Sequence, residues 1–259
     1  MKRQNQLRGI SAGWMASVAV FAAMAAGCAS RPAPESVAPP VQAVSQPVIH
    51  LPGGIEVDRT NGEVRVPAAT GITVGWLEQV ACVAGTRDHE SLVTVECKPS
   101  DVHAALLLLG LEPGAPGRWR YDQESVQVVP PRGPAIEVRI RYLLRSVEGA
   151  AIAHEVHVLE WIRGIDGRSF PASWVFAGSA IAPNPKSLGP GEHYVADYSG
   201  SLVGLVTFGD EVIAATAVIP DLIEFETANW EAFSERMPPE GTPATLVLRI
   251  VKPLETARP

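Results

Sequence analysis

The stretch "AGTRDHESLVTVECKPSDVH", Ala84 to His103, places a polar segment, an apolar segment and the start of a helix in series. The apolar run "WLEQVACV" lies directly upstream and ends at Val83. Two strand-like runs around a short polar segment are typical of a β-hairpin. The sequence therefore predicts a hairpin that turns at "AGTRDHE", followed by a helix.

The helix prediction rests on its first residues and on the spacing of its apolar ones. Ser100 is suited to the N-cap because its hydroxyl can accept a backbone N–H of the first turn. Asp101 lies where the helix dipole favours an anion, and Gly110 suits the left-handed position after the last turn. The apolar residues at helical spacing are Val102, Ala105, Leu106 and Leu109. Since Leu107 and Leu108 make the segment apolar nearly all round, we expect a buried helix near residues 100–110.

Strands dominate the rest of the folded part. In "IEVDRTNGEVRV", residues 55–66, Asn61-Gly62 is a strong hairpin signal because both positions tolerate positive φ. The run "AIEVRIRYLL" from Ala135 alternates apolar and charged residues, as a half-buried strand does. The sequence predicts a single α+β domain over residues 54–259, mainly antiparallel β with one buried helix.

The N-terminus has the pattern of a bacterial lipoprotein signal. Basic residues Lys2, Arg3 and Arg8 precede an uncharged apolar run that ends in "AAGC". We expect residues 1–27 to be a signal peptide and Cys28 to carry a diacylglycerol and an N-acyl chain, which would hold the protein on a membrane. The alternative is an uncleaved membrane anchor. Residues 28–53 include a Pro-rich linker, and the lack of Asp after Cys28 favours the outer membrane.

The charge of the chain limits the classes of partner that we expect. The net charge is −7, and no basic stripe interrupts the acidic chain, so nucleic acid is excluded as an expected partner. The serine hydrolase pattern "GISAG", residues 9–13, lies inside the predicted signal and is accidental. We expect no cofactor.

Residue types suited to catalysis cluster in the opening stretch. Cys82, His89, Glu90 and His103 could form a thiol-based or metal-dependent site if the turn folded over the helix start. The Cys and His spacing matches no compact zinc pair, so we expect no metal. Neighbours on a strand point to opposite faces, so the adjacent residues His89, Glu90 and Ser91 cannot form a catalytic triad among themselves.

Two cysteines are candidates for a disulfide. If the hairpin forms, Cys82 and Cys97 lie on opposite strands near its turn, and the cell envelope is an oxidising compartment. Closing a loop of this length would stabilise the protein by about 3 kcal/mol in the chain-entropy model. Two free, buried cysteines are the alternative.

The segment from Ala81 to Gly114 resembles the core of the YdjY-like domain, a family of bacterial envelope proteins. "WVFAGS", residues 174–179, and "YVADYSGSLVGLVTF", residues 194–208, resemble its C-terminal half. The motif positions are Cys82, Gly85, Thr86, His89, Glu90, Ser91, Pro99, Ser100, Asp101, His103 and Gly110. Cys97 is not among them, which weakens the disulfide. The resemblance implies the architecture and an envelope location but no activity.

These observations favour a non-catalytic, lipid-anchored envelope protein that binds another envelope component, either a protein or a glycan. The rival hypothesis is an enzyme or redox module that uses Cys82, His89, Glu90 and His103. The two differ in whether these four side chains meet in space.

Overall fold

The computed structural model describes residues 47–122, 124–221 and 230–251. All of them belong to one compact unit that spans Val44–Pro259. The predicted signal peptide, Cys28 and most of the Pro-rich linker lie outside the described residues. The sheet begins within the predicted linker, because Ile49–His50 pair with the next strand and Ile49 packs against the core.

The described residues contain two α-helices and a set of mostly short strands. The helices are α1 Pro99–Leu108 and α2 Val195–Ser199. The strands are β1 Ile49–His50, β2 Glu56–Asp58, β3 Glu63–Thr70, β4 Gln79–Val83, β5 Ser91–Val95, β6 Arg118–Tyr121, β7 Val126–Val129, β8 Ala135–Arg145, β9 Ala151–His157, β10 Ile162–Gly164, β11 Trp174–Phe176, β12 Ile181–Pro183, β13 Glu192–Tyr194, β14 Ser201–Gly204, β15 Ile213–Ala215, β16 Trp230–Ala232 and β17 Pro243–Ile250.

Eight strands close into a ring. Their order is β3-β17-β8-β11-β15-β14-β4-β5, and β5 pairs back onto β3. β1 and β2 extend the sheet from β3, and β9 pairs with β8 outside the ring. All pairs are antiparallel except β4 with β5 and β14 with β15. Closure of the ring leaves few exposed strand edges. The predicted predominance of β-strands is confirmed.

The predicted hairpin in the opening stretch is wrong. β4 and β5 are adjacent but parallel, with Gln79 opposite Ser91 and Cys82 opposite Thr94. Residues 84–90 cross back along the sheet and contain a 3₁₀ turn at Asp88–Glu90. Alternating apolar residues look the same in either strand direction, so the pattern could not reveal the crossover. The hairpin between β2 and β3 around Gly62, whose φ is 67°, is confirmed.

The helix α1 is present, but it is buried on one face only. Its buried residues are Pro99, Val102, Ala105 and Leu106. Leu107 is 46% exposed, so the expectation of burial all round is wrong. At the C-terminal end Gly110 has a φ of 84°, and the N–H of Leu111 reaches the carbonyl of Leu106. This is the Schellman geometry, which confirms the predicted helix stop.

The N-terminal cap of α1 differs from the prediction. Lys98 occupies the cap position and provides no side-chain bond. Asp197 of α2 instead accepts hydrogen bonds from the backbone N–H of Ser100 at 2.8 Å and from its hydroxyl at 2.6 Å. A carboxylate at a helix start stabilises the unpaired N–H groups and the dipole. The cap therefore comes from a residue 97 positions away in the sequence.

Strand β8 shows how the predicted alternation builds the core. Val138 and Ile140 are fully buried, whereas Arg139 and Arg141 face outward and bind Glu155 of β9. Burial alone would raise the pKa of Glu155, but the arginines of this network outweigh it and lower the pKa to about 2. The predicted half-buried strand is confirmed.

Candidate functional site

The four predicted catalytic residues do not form one constellation. Cys82 on β4 is fully buried. Its Sγ lies 3.7 Å from Oδ1 of Asp88. Burial raises the pKa of the Cys82 thiol, although hydrogen bonds from neighbouring groups oppose the shift. A thiol held protonated beside a carboxylate is a poor nucleophile, since the thiolate is the reactive form.

His89 and Glu90 lie at the end of the crossover loop, where His89 is exposed and Glu90 is largely buried. The His89 side chain is 78% exposed, and its Nε2 atom lies 3.6 Å from Oε2 of Glu90. Glu90 also pairs with Arg87 at 3.2 Å. Among the described residues, no hydrogen bond joins either side chain to Cys82 or His103. The cluster of residue types in the sequence is therefore not a cluster in space.

The candidate disulfide loses its premise. Cys82 and Cys97 are both free and buried in the structure. Cys82 faces Thr94 across a parallel pair, so the hairpin apposition on which the bond depended does not exist. Cys97 instead packs against Gly53, where an added Cβ would lie 2.6 Å from the Cys97 Cβ. Burial also raises the pKa of the Cys97 thiol to about 12.

The described part of the chain holds no group of three or more His, Cys, Asp or Glu side chains arranged around a metal position. The run "HEVH", residues 154–157, has residue types found in zinc sites, but it falls on β9, where alternate residues face opposite ways. His154 stacks on Tyr142, and His157 caps the 3₁₀ turn that follows β9.

Within the same described residues, neither helix has the length and apolar character that a membrane crossing requires.

The motif residues of the crossover loop have a structural role. Both oxygens of Asp88 accept the N–H of Gly85 at 2.9 Å, and the Thr86 hydroxyl donates to the carbonyl of Val83 at 2.5 Å. The loop packs against the end of α2, because an added Cβ at Gly200 would lie 2.3 Å from Oγ1 of Thr86. These bonds fix the short return from β4 to β5.

A cleft forms instead on the exposed side of α1, and it includes His103. Its volume is about 470 Å³. We call it the His103 cleft, and its principal lining residues are Ser100, His103, Leu107, Pro113, Ser179 and Tyr194. The lining comes from α1 and the loop after it, from the segment after β11 and from the end of β13, so three distant parts of the chain build it. An apolar cleft with a few converging polar groups is the usual form of a ligand site.

A hydrogen-bonded pair supplies the polar groups of this cleft. The hydroxyl of Tyr194 donates to the carbonyl of Gly178 at 3.0 Å and lies 2.8 Å from Nδ1 of His103. A phenol has one proton, so when Tyr194 donates it to the carbonyl of Gly178, Nδ1 of His103 is the donor to Tyr194. In neutral His103 the Nε2 atom is then an acceptor. No partner for Nε2 is found among the described residues.

The protonation of His103 fits this role. Burial lowers the pKa of His103, and the nearby backbone of Gly178, which accepts the Tyr194 hydroxyl, opposes the shift only in part. The ring also packs edge-on against Phe176, with centroids 4.9 Å apart. His103 is therefore neutral at pH 7 and fixed in orientation, which prepares Nε2 to accept a hydrogen bond from a ligand.

The backbone at the back of the cleft is in an unusual conformation. Ser179 has a φ of 55°, the one positive value at a residue other than glycine within the described ranges. Its hydroxyl donates to the carbonyl of Asp210 at 2.6 Å and accepts the N–H of Ala196 at 3.2 Å. Gly178 has a φ of 86°, and a Cβ there would lie 2.4 Å from Pro113. Such backbone strain is concentrated at functional sites in proteins.

Glu211 holds this backbone in place through its main chain, while its buried side chain binds the neighbouring loop. Glu211 is 1% exposed, and its main-chain carbonyl accepts the N–H of Ser179 at 3.0 Å. Its side chain accepts the N–H of Phe208 at 2.6 Å and that of Gly209 at 3.2 Å. Burial raises the pKa of Glu211 to about 7, although these backbone donors partly oppose the shift.

Sequence reasoning found His103 and Ser100 as motif residues but missed Tyr194 and Ser179 as their partners. The bond from His103 to Tyr194 spans 91 residues, and no local pattern encodes such a pairing. The one available signal was the resemblance of "WVFAGS" and "YVADYS" to family segments, because these contain Ser179 and Tyr194.

The comparisons with known proteins agree with the sequence resemblance. The YdjY domain model matches residues 55–249, which cover both helices and all of the eight-stranded ring except the last residue of β17. No curated protein and no solved structure matches the chain.

Proposed function

The chain belongs to the YdjY domain family, and from that premise we propose that it is a non-catalytic, lipid-anchored binding module of the cell envelope. Cys28 carries the lipid, and the Pro-rich segment that follows spaces the domain from the membrane. The domain binds a polypeptide segment of an envelope partner in the His103 cleft. The outer membrane is the proposed location, since Ala29 follows the lipidated cysteine.

One observation carries the binding proposal. The cleft combines an apolar lining with a neutral His103 whose Nε2 atom has no partner among the described residues. A ligand that fills it must bring apolar surface and a hydrogen-bond donor. A backbone N–H beside an apolar side chain meets both needs, whereas a glycan would bury hydroxyl groups against an apolar lining at a cost. We therefore favour a protein partner over a glycan.

The thiol or metal enzyme receives no support from the described geometry. Cys82 is buried beside Asp88, and His89 is exposed on the outside of the loop. The catalytic roles assigned to these two residues require them within hydrogen-bond reach of each other or of His103.

The anchor is tested by Cys28→Ala. We expect the variant to accumulate as unprocessed precursor and to lack the acyl chains in mass spectra. Unchanged processing and unchanged membrane association would overturn the lipid anchor while leaving the binding proposal in place.

The cleft is tested by pull-down from envelopes with three baits, namely wild type, Tyr194→Phe and the matched control Tyr198→Phe. Tyr194→Phe removes the hydroxyl that binds the His103 imidazole. An imidazole N–H left without its partner costs about 1–3 kcal/mol. We expect the retained partner to fall about tenfold with Tyr194→Phe and to stay constant with Tyr198→Phe, whose side chain is 59% exposed. Equal retention of the partner by all three baits would overturn the proposal that the His103 cleft binds it.

A shortened linker tests the spacer. If the domain must reach a partner away from the membrane, deletion of about ten residues between Cys28 and Pro47 should reduce capture in intact cells but not by the solubilised protein.

A further inference from the structure

A second cavity, separate from the His103 cleft, is lined by three arginines. Its volume is about 310 Å³. We call it the arginine cleft, and its lining residues include Arg163, Arg168, Ser169, Phe170, Phe233 and Arg236. Three guanidinium groups around one small cavity stand out in a chain whose net charge is −7.

Three short elements position these arginines. Arg163 lies on β10, opposite Glu231 of β16. Arg168 follows the turn after β10, where its carbonyl accepts the N–H of Gly164 at 3.1 Å. Arg236 ends the 3₁₀ turn Ser234–Arg236, which follows β16. The antiparallel pairing of β10 with β16 therefore brings all three to one place.

Aromatic rings contact the three guanidinium groups. The guanidinium carbons of Arg163 and Arg236 lie 4.7 Å and 4.4 Å from the centre of the same Phe233 ring. Arg168 lies 5.3 Å from the centre of the Trp230 ring. An aromatic face orients a guanidinium and leaves its charge and its N–H donors available for a ligand.

The carboxylates nearby do not occupy all three cations. Arg163 pairs with Glu231 at 2.9 Å and with Glu235 at 3.7 Å, so it is the most fully occupied of the three. Arg168 pairs with Asp166 at 3.3 Å, but both side chains are more than half exposed, 52% and 61%. An exposed pair of this kind is weak and is readily exchanged for another anion. Arg236 has no carboxylate partner among the described residues.

We infer that the arginine cleft binds an oxyanion group, with phosphate as the best match. Arg168 and Arg236 would each present a planar fork of N–H donors to the phosphate oxygens. Ser169 would add a hydroxyl donor, and Phe233 would contact the apolar part of the ligand. A free phosphate ester and a phospholipid head group offer the same chemistry.

The test is a titration of the full chain with inorganic phosphate, monitored by calorimetry and by tryptophan fluorescence, since Arg168 lies over Trp230. Parallel sedimentation uses phosphatidylcholine vesicles with and without phosphatidylglycerol. The variants are Arg168→Gln and Arg236→Gln. The control is Arg120→Gln, an exposed arginine on the separate β6–β7 sheet. Thermal melting verifies that each variant folds.

We expect saturable phosphate binding that weakens about tenfold or more in Arg168→Gln and Arg236→Gln, weakens with added salt and is unchanged in Arg120→Gln. Binding to phosphatidylglycerol vesicles with the same dependence on Arg236 would identify a lipid head group as the source and also supports the site. The inference is overturned if neither probe binds, or if the control variant loses as much affinity as the other two.

Discussion

The buried carboxylate of Glu211 makes the stability of this fold depend on pH, and Glu211→Gln tests that dependence. The side chain is 1% exposed and receives N–H bonds from Phe208 and Gly209. Glutamine keeps the shape and one carbonyl acceptor but cannot ionise. The substitution therefore removes a titration from the core with little change in packing.

The size and sign of this pH dependence of stability follow from the pKa of Glu211. Burial raises that pKa from 4.5 to about 7. Each pKa unit is worth about 1.4 kcal/mol, so the shift corresponds to about 3 kcal/mol. Because the folded state holds the proton more tightly than the unfolded chain, this stability is fully present below pH 4.5. It is lost as the pH rises through 7.

Urea unfolding monitored by tryptophan fluorescence measures the effect. We expect the free energy of unfolding of Glu211→Gln, minus that of wild type, to rise by about 3 kcal/mol between pH 4.5 and 8. The pKa of Glu78 is also raised to about 7, by burial and by Glu90, but both proteins share this group and it cancels in the difference. A flat difference would refute the reasoning, as would the same slope in the exposed control Glu192→Gln.

Three further substitutions or treatments test other parts of the fold. Gly200→Ala should lower the free energy of unfolding by more than about 1 kcal/mol, because φ is 80° and the new Cβ meets Thr86. Thr86→Gly should recover part of this loss, and a strictly additive pair would speak against the contact. Without reductant, Cys82 and Cys97 should each take one alkyl group only after unfolding, and a mass that shows an oxidised pair would contradict free thiols. Because the pKa of Glu155 is lowered to about 2, its contribution is present above pH 4.5 and is lost as the pH falls. Glu155→Gln should therefore flatten the acid limb of the stability curve, and an unchanged limb would count against the arginine network.

Sequence patterns correctly predicted those structural elements that are determined by residues close together in the chain. The alternation along β8 places Val138 and Ile140 inside and Arg139 outside, and the same period-two rule holds in the structure. Gly110 ends α1 because a left-handed residue is needed one position past the helix. In both cases the deciding contacts lie within a few residues.

Features that depend on distant parts of the chain were not predictable. Alternating apolar residues give the same pattern whichever way a strand runs, so the parallel pairing of β4 and β5 was missed. The candidate disulfide between Cys82 and Cys97 lost its premise with the hairpin, and the structure has the alternative of two free cysteines. Ser100 was expected to cap α1 itself, but Asp197 caps it from another helix. The His103 cleft likewise exists only because Tyr194 is brought to α1 by the tertiary fold.

Site-specific photo-crosslinking in cells tests the central claim most directly. A benzophenone residue at Leu107, which lines the His103 cleft and is 46% exposed, should give a discrete crosslinked species with a partner protein. The same probe at Val147, an exposed residue in the β8–β9 turn, should give none. We expect Tyr194→Phe to remove the Leu107 product. A Leu107 product that survives Tyr194→Phe unchanged, or equal products from both positions, would contradict a ligand site organised by His103 and Tyr194.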